Sequence, residues 1–220
     1  MRQTKRFAVV GSDARQAAAG RALARAGYTV GGVQQLPQAD CILLPLPLEQ
    51  ADLPLTQLLG MAKPGALALG GKVTDSARTI ARAAGVELVD YFARPELTVY
   101  NAIPTAEGCI GILLERRSRT LWGAAVPLTD LAAAAAAFDT VVNTIPAPVL
   151  TAAVLAALPK GSLIVDLASK PGGTDFAAAR RLGHTALHAL SLPTVWAPET
   201  AGEALARTVQ AILQEREGTI

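Results

Sequence analysis

Apolar segments of strand length alternate with helical patterns along the first part of the chain. The predicted strands are RFAVVGS, YTVGGV, ADCILLPLP, GALALGG and VELVDYF, and segments between them such as DARQAAAGRALARAG and SARTIARAAG carry helical periodicity. Short apolar strands that alternate with helices form parallel sheets covered on both faces. The pattern therefore predicts a doubly wound α/β domain over residues 1–98.

A second α/β domain is predicted over residues 99–220. It opens with a long linking helix, which Pro104 is expected to break or kink. Strands are predicted in DTVVNTIP, GSLIVDLAS and HTALHAL, with helices between them and a closing helix from near Thr200. The predicted fold class is α/β, with two doubly wound, Rossmann-like lobes on parallel sheets, the second of them shortened.

Composition narrows the functional classes. A net charge of +2 without a block of Lys and Arg argues against nucleic-acid binding. Cys41 and Cys109 are the only cysteines, and because their spacing fits neither a metal site nor a disulfide, both are expected to be core thiols of a reducing compartment. No apolar stretch approaches the roughly 20 residues of a membrane span. A soluble, cytoplasmic protein without a membrane partner is therefore expected.

The turn after the first strand, GSDARQ, holds the first candidate ligand-binding residues. Asp13 and Arg15 lie where a strand ends and a helix begins, a place where backbone N–H groups favour anions. The guanidinium group of Arg15 can bind a carboxylate through two hydrogen bonds. The alternative is that Asp13, or Ser12, only caps the helix.

A second group of candidates lies in NAIPTAEG. Asn101, Thr105 and Glu107 fall near the expected junction of the two lobes, and clefts between lobes are common ligand sites. The alternative is that Thr105 and Glu107 begin the second part of a broken helix, as its cap and as a partner of its dipole.

Two neighbouring strands of the second domain end in polar, turn-forming residues. NTIPAPVL follows one strand and DLASKPGGTD the next, so the two turns should lie side by side at the carboxyl edge of the sheet, where α/β proteins bind ligands. The two glycines of the second turn permit close approach to a ligand. Lys170 in that turn is either a surface residue or the partner of a carboxylate or phosphate.

Motifs of established chemistry are missing from the sequence. The chain contains no G-x-G-x-x-G, and GALALGGKVT departs from the phosphate-loop spacing at Ala66 and Val73. Neither a nucleophile elbow nor a zinc-binding spacing is present. His184 and His188, the only histidines, are expected to be structural. No catalytic acid or base can therefore be named, and no metal is expected.

Several motifs together resemble one known family. GSDARQ, DYFARPELTVYNAIPTAEGCI, NTIPAPVL, LIVDLASKPGGTDF and LPTVWAPETAG are similar, in this order and over nearly the whole chain, to the A subunit of dipicolinate synthase. The resemblance implies an oxidoreductase that works with a flavoprotein-like B subunit of the same synthase in the mother cell of a sporulating bacterium. It also implies oxidation of dihydrodipicolinate to dipicolinate, pyridine-2,6-dicarboxylate, with NADP. A homodimer is one option for its assembly.

The resemblance assigns roles to the candidate residues. Dihydrodipicolinate or dipicolinate, in the cleft between the lobes, would be bound by Asp13, Arg15, Asn101, Thr105, Glu107 and Lys170. NADP, in the second lobe, would be bound by Asn143, Thr144, Ile145, Pro146, Ser169, Pro171, Gly172 and Gly173.

The second domain departs from the family where a dinucleotide-binding half would begin. After RTLWGA, members of the family continue with a strand, a glycine-rich turn and a helix, whereas here AVPLTDLAAAAAAFDTVVNTIP leads almost directly to the later strands. A βαβ unit needs roughly 30 residues. The chain is therefore a deletion variant, an incomplete sequence, or a protein whose partner supplies the missing surface.

Three functions remain open on this basis. The first is the oxidoreductase described above. The second is a non-catalytic or inactive subunit that keeps the substrate cleft but has lost nucleotide binding. The third is an NAD(P)-dependent dehydrogenase of the 2-hydroxy-acid type, which should present a histidine with an acidic partner.

Overall fold

The computed structural model of the chain describes residues 5–48, 51, 53–118, 120–121, 123 and 125–218. The chain divides into two compact units, of which unit 1 contains Met1–Ala106 and Pro193–Ile220 and unit 2 contains Glu107–Leu192. Arg119, Trp122 and Ala124 of the RTLWGA motif lie outside the described residues. The helices are α1 (Ala14–Arg25), α2 (Leu55–Gly60), α3 (Asp75–Ala83), α4 (Pro95–Arg116), α5 (Leu131–Ala134), α6 (Ala152–Ala157), α7 (Phe176–Arg181), α8 (Leu192–Trp196) and α9 (Pro198–Gly218).

Unit 1 is built on a five-stranded sheet in which all neighbouring strands are parallel. The strands are β1 (Arg6–Val9), β2 (Thr29–Gly31), β3 (Cys41–Leu43), β4 (Leu67–Gly70) and β5 (Glu87–Asp90). Their order across the sheet is β2-β1-β3-β4-β5, so the direction of winding reverses between β1 and β3. In sheets of this topology, ligands bind outside the carboxyl ends of the strands at the reversal point.

Each face of this sheet carries its own hydrophobic core, because side chains alternate along a strand. Phe7, Leu43 and Leu69 cluster with residues of α1 and α9. Ala8 and Ile42, one position along their strands, cluster instead with residues of α2 and α3. The predicted parallel sheet covered by helices on both faces is therefore confirmed.

Helix α9 belongs to unit 1, although the sequence pattern places residues 99–220 in one domain. Its buried residues include Leu205 and Val209, which join the core formed by β1, β3 and α1. Gly202 allows α9 to approach α1 closely, since a Cβ atom there would lie 2.5 Å from the Cβ of Ala18. The apolar stripe of the helix therefore seals one face of the first sheet, a long-range pairing that local sequence patterns do not reveal.

Unit 2 contains a smaller parallel sheet. Its three strands, β6 (Thr140–Asn143), β7 (Leu163–Asp166) and β8 (Thr185–His188), are ordered as in the sequence. Ile164 packs in a cluster with residues of α6 and α7, and Val165 packs in another with Cys109 and Leu113 of α4. The three predicted strands are confirmed.

Helix α4 runs without interruption through Pro104, so the predicted break is wrong. The proline removes one helical hydrogen bond, but buried residues on both sides, Leu97 in one core and Leu113 in another, hold the helix.

Helix α4 is also the described helix that has the length and composition of a membrane span, with a mean hydropathy of 1.3. The prediction that no apolar stretch approaches this length is therefore corrected. By length and composition alone, the core helix of a soluble protein passes the same test.

Candidate functional site

The reversal point of the first sheet lies between the turns that follow β1 and β3. Gly11, in the first turn, has a φ of +103°, and a Cβ atom on it would lie 3.0 Å from the Cβ of Pro45 in the second turn. A side chain at position 11 would therefore be strained and would push the two turns apart. The glycine keeps the two turns in contact at the place where this topology binds ligands.

Asp13 caps α1, as the sequence pattern allowed. Its Oδ1 accepts a hydrogen bond of 2.8 Å from the backbone N of Gln16. Its Oδ2 lies 3.3 Å from Nη2 of Arg15, which gives the guanidinium group an acidic partner. Asp13 therefore has a structural role that also positions Arg15.

Arg15 is a buried cation with unused hydrogen-bond donors. The residue is 8% exposed, and Nη2 donates to the carbonyl oxygen of Leu46 at 2.9 Å as well as to Asp13. Nε is buried and makes no hydrogen bond with the described residues. Because a guanidinium group has five N–H donors, an anion bound between these turns would find donors not yet engaged by the protein.

Gln16 connects the ends of β1 and β3 through hydrogen bonds of its side chain. It is fully buried, and its Nε2 donates to the carbonyl oxygens of Val10, at 2.9 Å, and of Leu43, at 3.4 Å. Its Oε1 is buried without a donor among the described residues. Sequence reasoning did not single out this residue, although a glutamine three positions after an N-cap aspartate is a detectable signal.

The three candidates on α4 do not form a cluster with Arg15 through any hydrogen bond of the described residues. Thr105 donates its hydroxyl hydrogen to the carbonyl oxygen of Asn101 at 2.7 Å, inside the helix, so it does not act as a cap. Glu107 is exposed. Asn101 has a buried Oδ1 without a described donor, which makes it the strongest of the three as a ligand contact.

In unit 2, the ends of the three strands lie side by side as predicted. Asn143 of β6 pairs in register with Asp166 of β7, which pairs in turn with His188 of β8. Nδ2 of Asn143 donates to Oδ1 of Asp166 at 3.0 Å and to the carbonyl oxygen of Ile145 at 3.0 Å, while the N–H of Ile145 donates to Oδ1 of Asn143. Both polar atoms of the Asn143 side chain therefore have hydrogen-bond partners within the protein.

Asp166 organises the turn that follows β7, a role that sequence reasoning missed. The residue is fully buried, and its carboxylate accepts hydrogen bonds from Asn143, from the N–H groups of Ala168 and Gly173, and from the hydroxyl group of Thr174. Burial by itself would raise the pKa of Asp166, but these hydrogen bonds, led by that of Thr174, hold the pKa below its ordinary value. The carboxylate thus acts as an ionised anchor for the loop.

The two glycines of this turn serve packing within the protein. Gly172 has a φ of +88°, and a Cβ atom there would lie 3.0 Å from Oδ2 of Asp166. A Cβ atom on Gly173 would lie 2.5 Å from both Nδ2 of Asn143 and the carbonyl oxygen of Ile145. The absence of side chains therefore lets the turn pack on the strand ends, rather than leaving an open cradle for a ligand.

The remaining candidates of unit 2 lie around this anchored turn. Ile145 is partly buried by the neighbouring groups. Candidates that present exposed surface at the carboxyl edge are Thr144, Pro146, Ser169, Lys170 and Pro171.

Both histidines bind backbone carbonyl groups in the part of the chain that the structure describes. His184 Nε2 lies 2.9 Å from the carbonyl oxygen of Leu155, and His188 Nε2 lies 2.8 Å from that of Ala168. The ring of His188 also stacks on Phe176. Neither histidine pairs with a carboxylate among the described residues, which removes the signature expected of a 2-hydroxy-acid-type dehydrogenase.

The described residues of unit 2 do not fit the pyrophosphate of a dinucleotide. Such a group needs free backbone N–H donors at a glycine-rich helix start. Here the N–H groups of Ala168 and Gly173 are bound to Asp166, and the only sheet among the described residues of unit 2 has three strands. Beside β6 lies a cavity of about 350 Å³, lined mainly by apolar residues such as Leu131, Val142 and Leu150.

Comparisons with known proteins define the class first. No family model matches the chain. A transhydrogenase from Sinorhizobium meliloti shares the fold, with a TM-score of 0.67 at 14% identity over 88% of this chain and 79% of that one. Together with the two parallel sheets, this places the chain among proteins with a dehydrogenase-type, Rossmann-like fold.

The chain is also similar to A subunits of dipicolinate synthase. The protein of that name from Bacillus subtilis (strain 168) is 32% identical over 180 residues, or 62% of this chain, and the chain spans 61% of that protein's length. The structure of the A subunit from Bacillus halodurans matches with a TM-score of 0.81 at 25% identity, covering 95% of this chain and 97% of that one. The A chain from Bacillus subtilis matches with a TM-score of 0.81 at 26% identity, covering 100% and 99%. The chain is homologous to the A subunit of dipicolinate synthase, so the predicted resemblance is confirmed.

Proposed function

We propose that this chain is a dipicolinate synthase A-type subunit that binds dihydrodipicolinate and its product dipicolinate at the carboxyl edge of unit 1. The observation that carries the proposal is Arg15, a buried guanidinium group with donors that the described residues leave unused, at the reversal point of the sheet. The homology to the A subunit of the synthase supplies the class of ligand.

The chemistry of the ligand matches this site. A dicarboxylate on a flat ring needs cations that are already held in place, because ordering a mobile side chain weakens binding. The bonds of Nη2 to Asp13 and Leu46 hold the guanidinium group, and its Nε has no hydrogen-bond partner among the described residues. Asp13 and Arg15 therefore form the core of the proposed substrate site in unit 1, with Asn101 and Thr105 as further proposed contacts. Glu107 and Lys170 belong to unit 2 and are substrate candidates from the resemblance alone.

The second part of the proposal concerns oxidation. Conversion of dihydrodipicolinate to dipicolinate removes a hydride and a proton, and a bound nicotinamide nucleotide such as NADP would accept the hydride. In unit 2 the exposed groups at the strand ends, such as Thr144 and Ser169, are the proposed contacts for such a nucleotide. The N–H groups of Ala168 and Gly173, however, already donate to Asp166, so they are not available to the pyrophosphate of the nucleotide. We therefore favour a protein that keeps the substrate site and does not bind the nucleotide by itself.

The relatives are named as one subunit of dipicolinate synthase, which implies an enzyme of more than one subunit. We propose that the B subunit of dipicolinate synthase, flavoprotein-like by the resemblance, is needed here for oxidation. Action in the cytoplasm of a sporulating mother cell follows from the same resemblance and remains part of the proposal.

Calorimetric titration of the purified chain tests the proposal directly. We expect dipicolinate to bind, and NADPH and NADH to show no binding at micromolar concentrations. Binding of NADPH at that level would favour the second candidate, a complete NADP-dependent oxidoreductase, for which the adjacent strand ends of Asn143 and Asp166 are the supporting observation. Failure of dipicolinate to bind would overturn the substrate site.

A further inference from the structure

The turn after β4 contains a lysine in an unusual backbone conformation. Lys72 has a φ of 54°, in the left-handed region that residues with a side chain rarely adopt. Its side chain is exposed and its ammonium group lies 5.5 Å from the centre of the Phe92 ring. Strained backbone of this kind persists only where surrounding structure enforces it, and it is concentrated at binding sites.

The surroundings of Lys72 enforce this conformation. The carboxylate of Asp90, at the end of β5, accepts hydrogen bonds from the backbone N–H groups of Lys72, at 3.2 Å, and of Val73, at 2.9 Å. The preceding Gly71 is buried, and a Cβ atom there would lie 2.6 Å from Cδ1 of Leu46 and 2.8 Å from the ring of Tyr91. The turn is therefore locked by contacts on both sides, and the direction in which Lys72 leaves it is set.

Leu46 connects this turn to Arg15. The side chain of Leu46 packs on Gly71, while its carbonyl oxygen accepts a hydrogen bond of 2.9 Å from Nη2 of Arg15. The turns after β1, β3 and β4 therefore contact one another in the order in which these strands lie across the sheet. They bring two cations, Arg15 and Lys72, to the same edge of that sheet. The two cations have different surroundings, since Arg15 is buried and Lys72 is exposed.

We propose that Lys72 is a second carboxylate-binding residue of this site, and that the pair Arg15 and Lys72 makes unit 1 selective for dicarboxylates over monocarboxylates. The inference rests on the proposed function for the class of ligand. Arg15 offers a fixed, planar group to one carboxylate, and Lys72 offers a compact point charge to the other. A ligand with one carboxylate would use Arg15 alone.

The test compares dipicolinate with pyridine-2-carboxylate, which lacks the second carboxylate group. Both are titrated into the full chain and into its Lys72→Gly and Lys72→Met variants by calorimetry. Glycine suits the left-handed conformation at position 72 and leaves the fold intact. We expect each substitution to weaken dipicolinate binding by at least about tenfold and to change pyridine-2-carboxylate binding by less than about twofold, as expected for the loss of a contact that this ligand does not make.

Two further variants separate binding from structural effects. Lys72→Arg should retain the preference for dipicolinate, because it retains the charge. Lys160→Met, which removes an exposed lysine of unit 2, should leave both affinities unchanged. An equal loss for both ligands in Lys72→Gly, or no loss for either, would overturn the role of Lys72 while leaving the proposed function in place. A wild-type chain that binds neither ligand would overturn both proposals.

Discussion

The carboxyl edges of the two sheets use buried charge in opposite ways. In unit 1, Arg15 is buried with two hydrogen bonds to described residues, both made by Nη2, and its Nε has no partner among the described residues. In unit 2, the carboxylate of Asp166 is surrounded by four donors from its own chain. A buried charge that is fully paired stabilises a loop, whereas one that is incompletely paired is a candidate for binding a ligand.

The largest expected effect is that of Asp166→Ala in unit 2. The substitution removes the acceptor of four hydrogen bonds and leaves buried N–H groups without a partner, so we expect the free energy of unfolding of unit 2 to fall by about 4 kcal/mol. Urea unfolding followed by hydrogen exchange would measure the loss. Asp175→Ala, which removes the cap of α7, is the control and should lower it by about 1 kcal/mol. Equal effects would contradict the anchoring role of Asp166.

Gly173→Ala should destabilise the same unit by about 2 kcal/mol, because the new Cβ atom collides with backbone and side-chain atoms that cannot move independently. Gly60→Ala in α2 is the matched control, since nothing lies within 4 Å of a Cβ atom there. Thermal unfolding of the two variants compares them. A tolerated Gly173→Ala would show that the turn is not packed on the strand ends as described.

Arg15→Met tests the incompletely paired charge of unit 1. We expect dipicolinate binding to weaken by at least about tenfold. The free energy of unfolding should also fall, because Asp13 and the carbonyl oxygen of Leu46 lose the donor that Arg15 supplies. Calorimetry and urea unfolding give the two values. Arg82→Met, at an exposed position of α3, should change neither. Loss of stability without loss of binding would reverse the assignment of Arg15.

The smallest expected effect is on the pH dependence of stability. The pKa of Asp166 is lower in the folded protein than its ordinary value of 3.8. Its carboxylate therefore stabilises the fold above about pH 4, and this contribution is lost as the pH falls through the lowered pKa. Unfolding of unit 2 measured between about pH 7 and about pH 3 should depend less on pH in Asp166→Asn than in the wild type. Identical slopes would exclude this source of acid sensitivity.

Predictions from local sequence succeeded where neighbouring residues decide the outcome. The cap formed by Asp13, the adjacent strand ends after β6 and β7, and the parallel sheets all follow from short patterns. Predictions failed where distant residues decide it. The roles of Gln16 and Asp166 depend on which donors and acceptors meet at the strand ends, and the continuity of α4 through Pro104 depends on cores that hold both of its halves.

The sequence by itself determined the class of fold, the order of strands and helices, and the family that the chain resembles, because alternation of apolar segments and motif order are local properties. Only the tertiary structure decided which unit holds α9, that the glycines of DLASKPGGTD pack against Asn143 and Asp166, and that Arg15 keeps donors unused by the described residues beside Leu46. These outcomes depend on distances between residues far apart in the chain. A hydrogen-bond donor is available to a ligand only when folding brings no acceptor to it, which can be known only after the chain has been placed in space.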